Sequence, residues 1–361
     1  MTSSLYVTQL NALTNATWEN ALTNDSEKKC SVHIYPATAK VCFSLFYVTI
    51  LLFGFSANIL ALYISCKSER KSNPTTLYLT NLAVSDALFT LSLPGRIAYY
   101  IMEFHWPFGD YVCRLTAFIF YVNTYVGIYF MTVISIDRYI AVVHSQQYSK
   151  FRRVENVRYI CCFIWGLVFC QTVPLLLKPM VMPNGDKVTC MEYFNLDKIP
   201  NLPILLLFAC VISYCIPIII IAVCYLHVNW KLSKAAKENP LTDKKGHNKR
   251  AIIVICIILI AFLICFTPYH INIIQFMFKE LIYRPACEEQ KAFKVSLQIT
   301  VSLMNLNCCI DPVIYFFAFK GYKAKVIYLF KTHISSHLSS TGKTSSETSG
   351  NSQTNCQSES I

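Results

Sequence analysis

The stretch ISIDRYIAVVH, residues 134–144, sets a carboxylate and a guanidinium, Asp137 and Arg138, inside an apolar run. Charges near a membrane face are expensive to bury, so a pair kept there raises the question of a function. The plainer reading is an interfacial ion pair whose side chains reach for water. A second acid, Asp86, stands in the middle of another apolar run, in NLAVSD, and at that depth it needs a partner. Arg96 follows ten residues later, about 15 Å further along a helix. Tyr121 and Tyr125 are four apart and share a helical face, Tyr99 and Tyr100 lie high on the second apolar run, and Tyr269 follows Pro268. Tyrosine faces of this kind are usually packing. Gathered around one guanidinium, they suit a greasy, neutral ligand with separated hydroxyl groups, or an anionic one held by Arg96.

Seven apolar runs carry these residues: 40–66, 75–102, 110–144, 157–178, 203–230, 249–279 and 292–318. Each reaches the roughly 20 residues of a bilayer-spanning helix. The bulk numbers agree. The 361-residue chain is 54% hydrophobic and 14% charged, with a mean hydropathy of +0.42, whereas soluble domains carry about 25% charged residues. The net charge of +12 does not argue for nucleic acid, because the basic residues sit in short loops. Lys67, Arg70 and Lys71 follow the first run, Lys150, Arg152 and Arg153 the third, and seven lysines and arginines from Lys231 to Arg250 the fifth. The positive-inside rule places those loops and the C-terminus in the cytoplasm and the N-terminus outside.

The expected fold class is an all-α membrane protein, a seven-transmembrane helix bundle over 40–318. An extracellular tail, 1–39, precedes it, with glycosylation sequons at Asn15 and Asn24. A short amphipathic eighth helix, 319–333, is expected on the inner leaflet from KGYKAKVIYLFKTH. A disordered tail rich in Ser and Thr, 334–361, ends the chain. No internal repeat is visible, which disfavours a transporter, and no chain of ionisable residues crosses the midplane as a channel would need.

Seventeen cysteines are present. Those inside the apolar runs read as small hydrophobes. Cys113 lies 25 residues before Arg138, about 38 Å of helix, so the two sit at opposite membrane faces. Cys113, Cys190, Cys30 and Cys287 then face outward, which points to two disulfides with three possible pairings.

Asn58 in GFSANILAL, Asp86, Arg138 in DRY, Trp165, Pro217, Pro268 in CFTPYH and Pro312 in DPVIY fall one per run and in order. In this the chain resembles the rhodopsin-like (class A) G-protein-coupled receptors over nearly its whole length. The resemblance implies a receptor and not an enzyme. It implies activation and G-protein coupling through Asp137, Arg138, Tyr139, Tyr225, Phe266, Pro268, Asp311, Pro312 and Tyr315. It implies an allosteric sodium ion held by Asp86, Asn123, Asn307 and Asp311, and no other cofactor. It pairs Cys113 with Cys190 and Cys30 with Cys287. Asn305 replaces the lysine that would hold retinal, and Phe120 the aspartate that would hold an amine. Within the family, TTLYLTNLAVSDALFTLSLPGRIAYY, CRLTAFIFYVNTY and MNLNCCIDPVIYFFAFKGYK resemble the oxysterol-receptor branch. That implies a dihydroxylated cholesterol of the 7α,25 type bound by Arg96, Tyr121, Tyr125 and Tyr269, inhibitory G proteins and arrestin as partners, membrane lipids around the bundle, and a role in immune-cell migration from the plasma membrane. Nucleic acid is not an expected partner.

One departure from the family pattern bears on coupling. Ser145 and Gln146 stand where relatives have proline and a bulky apolar residue, and a glutamine there forfeits about 1–2 kcal/mol of apolar burial against the G protein. Phe266 in place of the usual tryptophan, and DPVIY in place of an asparagine-led motif, do not argue against signalling, because the resemblance implies both forms in this branch. The alternatives are a class A receptor for another lipid, a nucleotide or a peptide, and a weakly signalling receptor that scavenges its ligand.

Overall fold

The computed structural model describes residues 35–67, 73–144, 152–184, 186–191, 201–238, 247–283, 285–318, 322–329 and 331–332. Asn15, Asn24, Cys30, Ser145, Gln146 and the tail 334–361 lie outside these residues.

Helix α1 runs Ala37–Lys67, α2 Pro74–Ile101, α3 Gly109–Val143 and α4 Val154–Leu176. A β-hairpin follows, β1 Val181–Asn184 and β2 Lys187–Cys190, antiparallel with Val181 opposite Cys190. Helix α5 joins Leu202–Cys210 to Ile216–Glu238 through a π-turn at Val211–Cys215. Helix α6 joins His247–Ala261 to Thr267–Ile282 through a π-turn at Phe262–Phe266. Helix α7 comprises Cys287–Asn305 and Asn307–Ala318. A short helix, α8, covers 322–329. The bundle therefore has the seven long helices expected.

Six of the seven, all but α2, are long and apolar enough to cross a membrane. Helix α2 has the length, 28 residues, but Asn81, Asp86 and Arg96 dilute its apolarity. The two charges are buried, so α2 hides its polar groups inside the bundle. Helix α3 is the axis: 67% of its most apolar window is buried, against 22% for α4 at the rim. Leu52, Phe53, Leu91, Phe163, Phe208, Ile219 and Leu226 stand exposed around the outside. In water such a surface would associate; in hydrocarbon it is the matching solvent.

The local chemistry explains the irregular helices. Proline has no N–H and its ring clashes with the carbonyl four residues earlier. For Pro217 and Pro268 those carbonyls belong to Ser213 and Ile264, each inside a π-turn, where the wider turn makes room. For Pro312 the carbonyl is that of Cys308, and Asn58 Nδ2 donates to it at 2.9 Å from α1, replacing the missing donor. Gly127 allows close approach at the centre, because a Cβ there would lie 3.1 Å from Asn307 Nδ2 and 3.5 Å from Phe266 Cζ.

The helix ends depart from the apolar runs. Helix α7 begins at Cys287 rather than 292, because Glu289 Oε2 accepts from Ala286 N–H at 3.2 Å and caps the first turn. Helix α5 continues past 230 to Glu238, and α4 starts three residues before 157. Charged residues hold helix beyond the apolar stretch, which hydropathy cannot register. In α8, Val326 packs on the core while Ile327 and Leu329 are exposed.

Candidate ligand pocket and transducing core

At one end of α3, Asp137 and Arg138 are both buried. Asp137 Oδ2 accepts from Arg138 Nη2 at 2.5 Å and from Thr75 Oγ1 at 2.7 Å. Its other oxygen, Oδ1, accepts from Arg152 Nε at 2.7 Å. Arg138 Nη2 also contacts Thr75 Oγ1. The carboxylate is thus enclosed by the guanidinium of Arg138 on its own helix, the guanidinium of Arg152 just ahead of α4 and the hydroxyl of Thr75 on α2. Tyr139 meets His144 Nε2 at 3.3 Å through its hydroxyl and packs edge-on against His227 of α5. Tyr225 is half-buried on α5.

Midway along the bundle, Asp86 and Asp311 are both fully buried. Asn123 Nδ2 donates to Asp86 Oδ1 at 2.9 Å and to Ser85 Oγ at 3.3 Å. Tyr315 OH lies 3.2 Å from Asn58 Oδ1 and 3.5 Å from Asp86 Oδ2. Asn307 Nδ2 donates to Asp311 Oδ2 at 2.9 Å. Asn307 Oδ1 and Asp311 Oδ1 are buried with no hydrogen-bond partner among the described residues. Unpaired oxygens beside two carboxylates are the donor set a hard cation takes, so the four residues expected to hold sodium fit that ion.

At the other end, Cys113 and Cys190 are disulfide-bonded. Cys287 is also disulfide-bonded. The hairpin is pinned down by further contacts: Trp106 N–H donates to Val188 O at 2.7 Å, Met180 and Val181 N–H to Asp110 Oδ1 at 2.9 and 3.2 Å, and Lys187 Nζ to Glu103 Oε2 at 3.2 Å. Lys40 Nζ from α1 donates to Glu103 Oε1 at 2.9 Å. These two ammonium groups hold the exposed Glu103 carboxyl below its usual range.

Beneath the hairpin, Arg96 is 7% exposed. Its guanidinium lies 5.5 and 5.4 Å from the ring centres of Tyr99 and Tyr100. It donates to Gln298 Oε1 at 3.4 Å and reaches Met191 Sδ at 3.7 Å. Tyr100 OH also donates to Gln298 Oε1, at 2.9 Å. Among the described residues, Arg96 therefore has only neutral partners. Tyr121 and Tyr125 stack at 6.3 Å between centroids, with Tyr125 against Cys210 and Ser213 of α5. Tyr269 packs edge-on to His270, which in turn stacks on Tyr214 at 4.4 Å.

A family model described as the 7 transmembrane receptor (rhodopsin family) matches residues 57–315. This chain belongs to that receptor family. It is 48% identical to human G-protein coupled receptor 183 (Homo sapiens) over 316 residues, 87% of this chain and 88% of that one. The mouse (Mus musculus) protein of that name is 49% identical over 313 residues, 86% and 88% of the two chains. A rat (Rattus norvegicus) uracil nucleotide/cysteinyl leukotriene receptor is 34% identical over 284 residues, 78% and 80%. The chain is thus a multi-pass membrane receptor of the kind that works through G proteins.

The residues singled out in the receptor's sequence fall into three layers along the bundle. Asp86 with Asn123, and Asn307 with Asp311, are in contact; Asp137 and Arg138 are paired; Arg96 lies on α2 facing α7, while Tyr121 stacks on Tyr125 and Tyr125 turns toward α5. Phe266 and Pro268 sit at the α6 π-turn, with Phe266 buried against Phe262 at 5.1 Å. Sequence reasoning missed Gln298, Thr75 and His270. Gln298 was legible only as a polar residue in an apolar run. The Nδ1 of His270 lies 2.7 Å from Phe266 O. A carbonyl only accepts, so Nδ1 carries the proton and Nε2 of the neutral ring is left as an acceptor.

Proposed function

We propose that this receptor binds a dihydroxylated cholesterol of the 7α,25 type between α2, α3, α6 and α7. The observation that carries the reading is the buried guanidinium of Arg96, held by neutral acceptors and rings in an aromatic surround. Such a group can donate to a ligand hydroxyl without facing a competing carboxylate. Tyr121, Tyr125 and Tyr269 offer further hydroxyls at other depths, suited to a rigid hydrocarbon body with oxygens at its ends. The similarity to proteins named G-protein coupled receptor 183 supports the receptor class to which this reading assigns the pocket. Ligand binding shifts a two-state bundle toward the form in which Arg138 faces an inhibitory G protein. Sodium at Asp86, Asn123, Asn307 and Asp311 favours the resting form. Serines and threonines between Ser339 and Ser360 recruit arrestin once phosphorylated. The hairpin end faces outward and the Arg138 end the cytoplasm, as the basic loops require, at the plasma membrane of migrating immune cells.

A second reading follows from the same guanidinium. A buried cation with no carboxylate partner among the described residues also suits an anionic ligand, and one relative's name includes nucleotide and leukotriene. One titration separates the two. G-protein activation is measured in cells expressing the chain, against 7α,25-dihydroxycholesterol and against uridine diphosphate, for wild type and Arg96→Ala. The sterol is expected to give a saturable response. Arg96→Ala should right-shift it about 10- to 100-fold, as the loss of one charge-assisted hydrogen bond of about 1.5–3 kcal/mol would. A response to the nucleotide alone transfers the pocket to the anionic class.

A further inference from the structure

The pair that transmits activation, Asp137 and Arg138, is expected to be restrained while the receptor rests. Restraint by an acid on α6 is not available at its first turn, which reads His247-Asn248-Lys249-Arg250 and holds no carboxylate. Among the described residues the only carboxylate on Arg138 is its neighbour Asp137. A carboxylate that is to hold an adjacent arginine must itself be held in one orientation. Its two oxygens are divided here. Oδ2 faces Arg138 and Thr75, and Oδ1 faces Arg152, two residues ahead of α4. Arg152 therefore does not compete with Arg138 for one lone pair; it fixes the rotation that leaves Oδ2 toward Arg138. The Asp137 side chain is 5% exposed and that of Arg152 29%, so the second arginine is the one of the two that a partner arriving from water can reach.

We propose that Arg152 is a positioning residue for the Asp137–Arg138 pair, holding the carboxylate so that the receptor stays silent without ligand. Arg152 then acts on Arg138 through Asp137: a partner that engages Arg152 from the cytoplasm releases the pair. This inference does not depend on which ligand the receptor takes.

The test is ligand-free nucleotide exchange on an inhibitory G protein by the full-length receptor in membranes, normalised to receptor number. Wild type is compared with Arg152→Ala, Arg152→Gln, Arg152→Lys, Asp137→Asn and the double variant Asp137→Asn/Arg152→Ala. Arg152→Ala and Arg152→Gln are expected to raise basal exchange about threefold or more. Arg152→Lys, which keeps the charge, should lie near wild type. In the Asp137→Asn background, Arg152→Ala should add nothing, because the group it positions is gone. Basal exchange unchanged in both neutral variants overturns the proposal, as does an equal rise with and without Asp137. Loss of both neutral variants from the membrane while Arg152→Lys inserts normally also overturns it, since Arg152 would then serve folding alone.

Discussion

Several residues in this receptor act by replacing what a neighbour's backbone lacks. Asn58 is the clearest. Its amide donates to Gly54 O and to Cys308 O, both at 2.9 Å, and Pro312 leaves the second carbonyl without its helical donor. A leucine or alanine at 58 strands that carbonyl in a fully buried setting, where an unmade hydrogen bond costs about 1–3 kcal/mol. Asn58→Ala is therefore expected to lower the melting temperature of the detergent-solubilised receptor. Pro312→Ala should recover part of the loss in the double variant, because alanine restores the N–H. Two melting curves that add independently would show that Asn58 does not serve this carbonyl. Arg96 shows the contrasting case, a group whose partners among the described residues are neutral, which suits a ligand-facing residue.

At the scale of elements, the hairpin is fastened at several points to the α2–α3 connection and to the start of α3. Glu103 joins three elements: Lys40 of α1, Lys187 of β2 and its own turn. Its carboxyl is held below the usual range by those two lysines. A depressed carboxylate contributes stability above its unfolded pKa of about 4.3, and that contribution is lost as pH falls through the lower folded value. No change is expected between pH 5 and neutrality from this group. Below about pH 4 the wild type should lose thermal stability more steeply than Glu103→Gln, which has no charge to lose. The difference is small, because the group is exposed and water screens it. Melts of the two proteins at matched acid pH check it, and parallel curves would remove Glu103 from the account.

Taken whole, the molecule is a bundle with a polar thread through its centre. Two buried carboxylates near the α7 break, with the oxygens of Asn307 and Asp311 that are unpaired among the described residues, form a setting that one positive charge would stabilise. If sodium holds the resting bundle, agonist potency in membranes should fall as sodium chloride replaces choline chloride at constant ionic strength. Asp86→Asn should abolish that dependence while the receptor still binds ligand. Equal potency in the two salts for wild type would leave the pair to share a proton instead. Linkage requires the reciprocal effect, weaker sodium binding in the presence of agonist.

The amino-acid order by itself determined the class of fold and most of its chemistry. Apolar runs of spanning length have no solution in hydrocarbon other than helices that satisfy their own backbones. Charges inside those runs must face inward, so Asp86, Asp137 and Arg138 could be singled out from position alone. Resemblance then paired Cys113 with Cys190, a pairing the structure contains. Only the tertiary structure decided what each charge meets. That Arg152 takes the second oxygen of Asp137, that Gln298 rather than an acid meets Arg96, and that Asn58 serves the carbonyl freed by Pro312 are contacts between residues 15, 202 and 250 positions apart. Hydropathy carries no term for such pairs. It also misplaced the starts of α4 and α7 and the end of α5, because a helix end in water is held by caps and charged side chains rather than by burial. The sequence states which groups cannot face lipid; packing alone selects their partners, since close-packed helices bring together side chains that the chain order keeps apart.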